Sequence, residues 1–371
     1  MIVGVAKETV PGERRVALVP ELVAKLTKSG LEVRVQPGAG LAAGFADAAY
    51  QEQGARLEGE LSAADILPKV QPPSLEEVAI LKEGAVLIGF LQPYSNTAGI
   101  RALAARKVTA FAMELMPRIT RAQSMDALSA MSTVAGYKAV LLAAVRLPKF
   151  FPLLMTAAGT VSPARVFVIG AGVAGLQAIG TAKRLGAVVE AYDTRPVVKE
   201  QVESLGGKFV ELALETKDAE AKTGYAKAQS EEFYQKQRQM MLTYLAAADI
   251  VIPTALVPGQ RAPVLITEEM VQAMRRGSII VDLAAEQGGN CALTEPGKDV
   301  ERHGVTILGP VNLPSTLPFH ASQMYARTVT SYLLHLVKDG KLNLDLSDEL
   351  TRGPLVTHQG EIVSEVVKKV S

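Results

Sequence analysis

The chain has 371 residues, with 39 basic and 38 acidic side chains, a hydrophobic fraction of 48%, 5% aromatic residues and no Trp. This length allows two domains, and the balanced charge gives the protein no electrostatic reason to bind nucleic acid or an anionic membrane. The single cysteine, Cys291, excludes an internal disulfide and indicates a reducing compartment.

The first 120 residues alternate between strand and helix patterns. Met1 leads directly into the apolar strand IVGVA, so we expect no signal or transit peptide. Further strands are predicted at LEVRVQ, AVLIGF and VTAFAME, with helices over 21–28 and about 98–106. Such alternation predicts a parallel sheet covered by helices. The region lacks a G-x-G-x-x-G motif, so we expect an α/β unit without a dinucleotide signature of its own.

Three cations of this region stand at or near strand ends: Arg14, Arg15 and Lys69. In α/β folds the strand ends line a crevice, so these side chains are candidates for binding an anion. Solvated surface charge explains them equally well. The sequence leaves both interpretations open.

A long helix is predicted from about Ala122. Its polar residues recur every three or four positions and would form one stripe on an otherwise apolar helix; they are Gln123, Asp126, Ser129 and Thr133. A polar stripe is usually the solvated side of a helix. This one is nearly uncharged and lies between two α/β units, so lining a cleft is an equally open alternative. The most apolar run, 139–145, is too short to span a bilayer, and we expect no membrane insertion.

The stretch 166–193, VFVIGAGVAGLQAIGTAKRLGAVVEAYD, predicts a complete β-α-β unit. Gly170, Gly172 and Gly175 fit G-x-G-x-x-G, in which the glycines allow a tight turn, close approach to a pyrophosphate, and close packing of helix on strand. Phosphates would lie at the helix N-terminus, where free N–H groups and the helix dipole favour negative charge. The unit therefore predicts a dinucleotide site, and Val173 is included among its expected contacts.

Asp193 ends the second strand of this unit. An acid at this position accepts hydrogen bonds from the adenosine ribose and repels a 2′-phosphate, which favours NAD over NADP. The following Thr194 is expected to contact the nucleotide too. Arg195 is dissonant, because an arginine here can bind a 2′-phosphate; we expect it to pair with Asp193 or to stack on adenine.

A polar, alanine-rich segment interrupts the second unit at 215–233. It is either a disordered insert or a lid, and Tyr225 is its residue best able to cover a ligand. Strands at DIVIPTAL, SIIVDLA and VTILGP, with a helix over 267–274, then complete the dinucleotide-binding sheet. The four histidines, His303, His320, His335 and His358, form no cluster, and we expect no metal site.

A second long helix is predicted over about 319–337, after which GPLVTHQGEIV is typical of a hairpin. The pattern predicts an α/β protein with two Rossmann-like, doubly wound parallel-sheet domains joined by two long helices that bridge a cleft. We place the first, discontinuous domain at 1–128 plus 325–371 and the NAD(H)-binding domain at 129–324.

Several segments together resemble the NAD(H)-binding domain I of proton-translocating nicotinamide nucleotide transhydrogenase. They are MELMPRITRAQSMDALS, the glycine motif, TGYAKAQ and DLAAEQGGN. The resemblance covers essentially the full length, and RAQSMD is quite specific. The chain is also similar to alanine dehydrogenase, which shares the two-domain plan.

The transhydrogenase resemblance implies roles for the polar residues. Those matching Arg118, Gln123, Asp126 and Ser129 lie beside the nicotinamide and orient it, and the residue matching Tyr225 belongs to a mobile loop that closes over the nucleotide. Hydride would pass to NADP⁺ on a partner domain III, while a membrane domain II translocates protons. The chain carries neither domain, so we expect a separate subunit, cytoplasmic and peripheral to the inner membrane through its partners. The family also implies a homodimer.

Departures from alanine dehydrogenase favour this choice. The acid/base histidine of that enzyme corresponds to Gln92, and an aspartate corresponds to Glu286. Arg15 and Lys69 match its substrate-anion residues. Oxidising an amine needs a proton acceptor, which Gln92 cannot be, whereas hydride transfer between nicotinamides needs only proximity and orientation. Two alternatives stay open: an alanine dehydrogenase-like enzyme, and a non-catalytic NAD-sensing regulator.

Overall fold

The computed structural model describes residues 1–212, 230–257 and 259–370. The amino-terminal region contains six strands, β1 (Ile2–Val5), β2 (Glu32–Val35), β3 (Arg56–Leu57), β4 (Ile66–Pro68), β5 (Val86–Gly89) and β6 (Thr109–Ala112). Its helices are α1 (Pro20–Lys28), α2 (Asp47–Glu52), α3 (Leu75–Ile80) and α4 (Thr97–Ala105). A 3-10 helix over Thr120–Met125 precedes the long helix α5 (Ala127–Arg146).

The middle of the chain holds the glycine motif. Its strands are β7 (Leu154–Thr156), β8 (Gly159–Val161), β9 (Arg165–Ile169), β10 (Val188–Tyr192), β11 (Lys208–Phe209), β12 (Ile250–Pro253), β13 (Ile279–Val281), β14 (Asp299–Arg302) and β15 (Val305–Leu308). The helices are α6 (Val173–Arg184), α7 (Lys199–Ser204), α8 (Glu231–Ala247) and α9 (Glu268–Gln272).

The carboxyl-terminal region begins with a second long helix, α10 (Pro318–Leu336). It continues through β16 (Val337–Lys338), β17 (Lys341–Leu342), α11 (Glu349–Arg352), β18 (Leu355–His358), β19 (Glu361–Ile362) and α12 (Glu365–Val370). The predicted closing hairpin is confirmed, because β18 and β19 pair antiparallel.

The first sheet has eight strands in the order β19-β18-β6-β5-β4-β1-β2-β3. Strands β1 to β6 are parallel, and β18 adds to β6 in the antiparallel direction. The second sheet has the order β11-β10-β9-β12-β13-β15-β14, parallel except for β14. From β3 to β6 and from β11 to β15 the two orders follow the same Rossmann pattern, in which the chain reverses direction across the sheet between the first and fourth strands. The predicted fold class is confirmed.

Contacts divide the chain into two compact units, Met1–Met131 with Pro314–Ser371 and Ser132–Leu313. The sequence-based domain boundaries at 128/129 and 324/325 stand beside this division as a prediction. Within the second unit, successive residues of β9 contribute to different cores: Val166 and Val168 to one, Phe167 and Ile169 to another. Helices therefore cover both faces of this sheet, and all its central strands are buried.

Helix α8 is an element that sequence reasoning missed, because the polar segment through residue 233 was assigned to an insert. Ser230 caps the helix by accepting a hydrogen bond from Phe233 N at 3.2 Å, and Gln237, Met241 and Leu245 form its buried stripe at four-residue spacing. The high content of charge on its other faces masks this stripe in the sequence. Residues 213–229, which include Tyr225, lie outside the described residues.

Among the described residues, α5 is the single helix that is long and apolar enough to cross a membrane by length and composition. About a third of its most apolar window, 33%, is buried. Ala139, Val140 and Ala143 on this helix pack into the core beside β9. An apolar helix that covers a sheet meets the same criterion.

Candidate functional site

The turn from β9 into α6 has the geometry that the glycine motif predicts. Gly170 has φ +98°, in the left-handed region, and a Cβ there would lie 2.5 Å from Thr254 Oγ1. A Cβ on Gly175 would lie 1.9 Å from the carbonyl oxygen of Gly170. The first and third glycines are therefore required by the fold itself, because a side chain at either would force the turn or the helix to move.

Gly172 differs from its two neighbours in the motif. It is the N-cap of α6 with φ −76° and ψ −168°, which any residue adopts, and a Cβ there would meet nothing within 4 Å. The fold therefore does not require glycine at this position. Open space beside the N–H groups at a helix start suits close approach of a phosphate. Val173, the first helical residue, is 37% exposed at the same edge.

Asp193 joins the segment after β10 to the glycine turn. Its Oδ2 accepts hydrogen bonds from Ala171 N at 2.7 Å and Arg195 Nη2 at 2.9 Å. Its Oδ1 accepts from Arg195 N at 2.8 Å and Arg195 Nε at 2.9 Å. The prediction that Arg195 pairs with this acid is confirmed. Thr194, between the two, is half-buried at the strand end.

Sequence reasoning missed the residues that hold the neighbouring strand end in place. Thr254, directly after β12, donates its hydroxyl to Gly170 O at 3.0 Å. Asn290 is fully buried; its Oδ1 accepts from Ala255 N, and its Nδ2 donates to Ala255 O and Pro263 O, each at 2.9 Å. A Thr at the end of the strand beside the glycine turn is the sequence signal that could have found this edge.

Asp282 fixes the other side of the same loop. Its Oδ2 accepts from Asn290 N at 2.7 Å, Cys291 N at 2.9 Å and Thr294 Oγ1 at 2.6 Å. Burial raises the pKa of Asp282, and the hydrogen bonds oppose the shift. Burial also raises the pKa of the Cys291 thiol to about 11, so this cysteine is inert as a nucleophile, as the sequence suggested.

The predicted nicotinamide-orienting residues lie at the start of α5. The helix begins at Ala127 and not near Ala122, because Asp126 caps it: Oδ1 accepts from Ser129 N at 2.8 Å and Oδ2 from Ser129 Oγ at 2.6 Å. Residues Thr120–Met125 form a 3-10 helix instead. The prediction of one α-helical polar stripe is therefore wrong, since Gln123 lies before the break and Ser129 after it.

The structure joins Asp126 and Ser129 directly, and both are partly exposed. Gln123 is exposed on the 3-10 helix, and Arg118 is exposed on the turn that leads into it. Thr133 is half-buried one turn further along α5. The four polar residues therefore belong to one short segment, and two of them are held in a fixed mutual geometry.

Gln92 follows β5 in the left-handed region, with φ +54°, and its side chain is exposed. Behind it lies Glu114, whose Oε1 accepts from Gln92 N at 2.7 Å and whose Oε2 accepts from Leu91 N at 3.2 Å. Burial raises the pKa of Glu114 to about 7. Both its oxygens are occupied by the backbone, so its visible role is to shape the turn that carries Gln92.

Arg15 and Lys69, the two candidate anion-binding residues at strand ends of the first unit, are buried in ion pairs. Arg15 donates to Glu13 through Nε at 2.8 Å and Nη2 at 2.6 Å. Burial alone would raise the pKa of Glu13, but the hydrogen bonds and charge of Arg15 outweigh burial and lower the pKa to about 2. Lys69 Nζ lies 2.7 Å from Glu77 Oε1 and 3.7 Å from Glu8 Oε2. Neither open interpretation describes them; Arg14 is the exposed cation.

Glu286 lies after β13 in an exposed 3-10 turn, where its Oε1 accepts from Asn312 N. Over the described residues, no group of three or more His, Cys, Asp and Glu side chains is arranged to hold a metal ion. The chemistry visible here is that of hydrogen bonding to a polar ligand.

Residues 4–135 match the alanine dehydrogenase/PNT N-terminal domain and residues 139–365 match the alanine dehydrogenase/PNT C-terminal domain. The chain is 52% identical over 375 residues to a chain of the NAD(P) transhydrogenase subunit alpha of Rhodospirillum rubrum, covering 98% of each chain. It is 31% identical over 382 residues to the alanine dehydrogenase of Bacillus subtilis, covering 100% of this chain and 94% of that one. The crystal structure of transhydrogenase from Sinorhizobium meliloti matches with a TM-score of 0.87 and 43% identity, over 98% of this chain and 99% of that chain.

Proposed function

The chain belongs to the alanine dehydrogenase/PNT family, and we propose that it is the NAD(H)-binding subunit of a proton-translocating NAD(P) transhydrogenase. In this role it passes hydride between NADH and NADP⁺ held on a partner domain III, and a membrane partner, domain II, couples the reaction to proton translocation. The higher identity to a transhydrogenase alpha subunit, 52% against 31% for alanine dehydrogenase, supports the choice within the family.

The observation that carries the proposal is the glycine turn at the end of β9. Gly170 and Gly175 are enforced by contacts of 2.5 Å and 1.9 Å, whereas Gly172 leaves open space at the start of α6. These residues fit a dinucleotide: Gly172 and Val173 would border the pyrophosphate, and Asp193 and Thr194 would hold the adenosine ribose. The bound nicotinamide supplies the hydride chemistry.

The polar segment before and within α5 supplies orientation. Asp126 and Ser129 hold each other through two hydrogen bonds of 2.8 and 2.6 Å, so their remaining acceptor and donor positions point in fixed directions. With Arg118 and Gln123 they would fix the nicotinamide carboxamide, which is the main requirement of direct hydride transfer. Tyr225, outside the described residues, is proposed to belong to the loop that closes over the nucleotide.

Residues of the first unit argue against amino-acid oxidation. Gln92 offers no basic atom, and both oxygens of Glu114 are engaged by backbone N–H groups. Arg15 and Lys69 are each neutralised by a carboxylate of the same chain. An amino-acid substrate would need a proton acceptor and a cation for its carboxylate, and these residues are committed elsewhere.

A homodimer is proposed as well. Residues 150–164, around the β7–β8 hairpin, contain no charged residue. We call the exposed side chains Phe150, Leu153, Met155 and Val161 the hairpin surface; they are 59%, 55%, 80% and 37% exposed. An uncharged apolar hairpin of this kind is typical of a surface covered by another protein, and a second copy is the partner that the family resemblance implies.

The test combines the chain with an NADP(H)-binding domain III. NADH-dependent reduction of an NADP⁺ analogue should appear only with both components, while the chain alone reduces pyruvate with ammonia negligibly. Asp126→Asn and Arg118→Ala should abolish hydride transfer while NADH still binds. Brisk reductive amination of pyruvate by the chain alone would establish an alanine dehydrogenase instead. Unchanged transfer rates in both variants would assign the segment no role in the reaction, leaving the NAD-sensing alternative.

A further inference from the structure

The ion pair between Arg195 and Asp193 goes beyond what a ribose-binding acid requires. The guanidinium makes two side-chain hydrogen bonds to the carboxylate, at 2.9 Å each, and the two side chains are only 12% and 5% exposed. With the N–H groups of Ala171 and Arg195 itself, four donors converge on two oxygens. A carboxylate has about four lone-pair positions, so its acceptor capacity is filled.

The two members of this pair have opposite preferences for the adenosine ribose. A carboxylate at the end of the second strand accepts from the 2′-hydroxyl, whereas an arginine close by accommodates a 2′-phosphate. Guanidinium groups bind phosphate through two parallel hydrogen bonds, the same geometry that Arg195 here directs at Asp193. The residues for reading either nucleotide are therefore both present, bonded to each other.

We propose that Arg195 is a latent 2′-phosphate-binding residue, and that Asp193 holds it in an ion pair so that the site takes NAD(H) and rejects NADP(H). This inference rests on the proposed function, in which the site holds NAD(H). Selectivity matters there because the other nucleotide of the reaction differs by that phosphate alone. Asp193 acts twice, since it repels the phosphate and also occupies the one nearby cation.

The decisive variant is Asp193→Asn, measured by titrating the full-length chain with NADH and with NADPH. Asparagine keeps an acceptor for Ala171 N but loses the charge that holds Arg195. We expect NADPH to bind about 10- to 100-fold more tightly than to the wild type, the range of one charge-assisted hydrogen bond, and NADH to bind more weakly. In Asp193→Asn/Arg195→Gln the gain for NADPH should disappear.

Glu190→Gln is the matched control. Glu190 lies on the same strand and is paired with Arg165 at 3.0 Å and Lys208 at 3.2 Å, away from the glycine turn. Its neutralisation also releases cations but should leave the ratio of the two affinities unchanged. A gain for NADPH in this control as large as in Asp193→Asn would overturn the proposal, because it would reflect net charge alone.

Arg195→Gln in the wild-type background tests the proposal without touching Asp193, in case the asparagine variant unfolds. It leaves the carboxylate without its cation, so the preference for NADH over NADPH should increase. An unchanged or smaller preference contradicts the proposal, as does a gain for NADPH that survives in the double variant. If the wild-type chain fails to bind NADH at all, the proposed function itself fails, which these binding ratios keep separate.

Discussion

Replacing Gly172 by alanine separates the demands of the fold from those of the ligand. The residue has φ −76° and ψ −168°, and a Cβ would meet nothing within 4 Å. The fold should therefore keep its stability or gain about 0.4–1 kcal/mol, because alanine restricts the unfolded chain. A methyl group there would nevertheless fill the space that the pyrophosphate needs. We expect NADH binding to weaken about 10- to 100-fold, equivalent to ~1–3 kcal/mol of steric strain.

Gly175→Ala is the matched variant with the opposite signature. Its Cβ would lie 1.9 Å from Gly170 O and 2.9 Å from Gly170 C, both backbone atoms that no side-chain rotation can relieve. Helix α6 would have to move away from β9, and we expect a loss of about 1–3 kcal/mol or more in the free energy of unfolding. Nucleotide binding should weaken too, as a consequence of the displaced turn.

The assay is urea unfolding in the absence of nucleotide, with NADH titration of the same preparations. The reasoning predicts a stable variant that binds poorly at Gly172 and an unstable variant at Gly175. Wild-type affinity for NADH in Gly172→Ala would refute the assignment of the pyrophosphate to this turn. Equal loss of stability in the two variants would refute the distinction between a structural and a ligand-contacting glycine.

Three further predictions address the dimer, the buried acid and the loop after β12. Met155→Lys should shift the chain from dimer to monomer in light scattering, while Leu41→Lys, which replaces an apolar residue 61% exposed elsewhere, should leave the mass unchanged. Because burial raises the pKa of Glu114 from 4.5 to about 7, its protonated form is the stabilising one. The free energy of unfolding should therefore fall by up to about 3 kcal/mol as pH rises through this window, and Glu114→Gln should flatten the profile; an equally steep profile would contradict the assignment. Asn290→Ala strands three backbone groups and should cost about 2–4 kcal/mol in urea unfolding, whereas a loss below ~1 kcal/mol would show that the loop repacks.

Periodicity and motif spacing were sufficient for the regions of the fold built from strong local signals. The β-α-β unit around Gly170 was predicted almost to the residue, because strand, turn and helix are each encoded by adjacent residues. The start of α5 was not, since a helix beginning at Ala122 and one capped at Asp126 have nearly the same apolar pattern. The cap, a single hydrogen-bonding choice, decides between them.

Ion pairing at strand ends was equally invisible in the sequence. Arg15 has its partner two residues away, yet nothing in the spacing says that Glu13 folds back on it in a buried, bidentate contact. Lys69 meets Glu77 only because Glu77 begins a helix whose capping box turns its carboxylate toward the strand end. Such pairs depend on tertiary geometry, so composition gave equal weight to two interpretations that are both incomplete.

The two units show how one strand order serves two purposes. In each, the crevice of a Rossmann sheet is expected between the first and fourth strands, at their carboxyl ends. In the second unit that position carries Gly170 and Thr254, small residues whose contacts keep the turn tight. In the first unit it carries Glu8 and Lys69, 3.7 Å apart and buried. A buried ion pair is costly to open, so this crevice is closed by its own charges, and binding of a charged ligand is left to the unit whose strand ends are small.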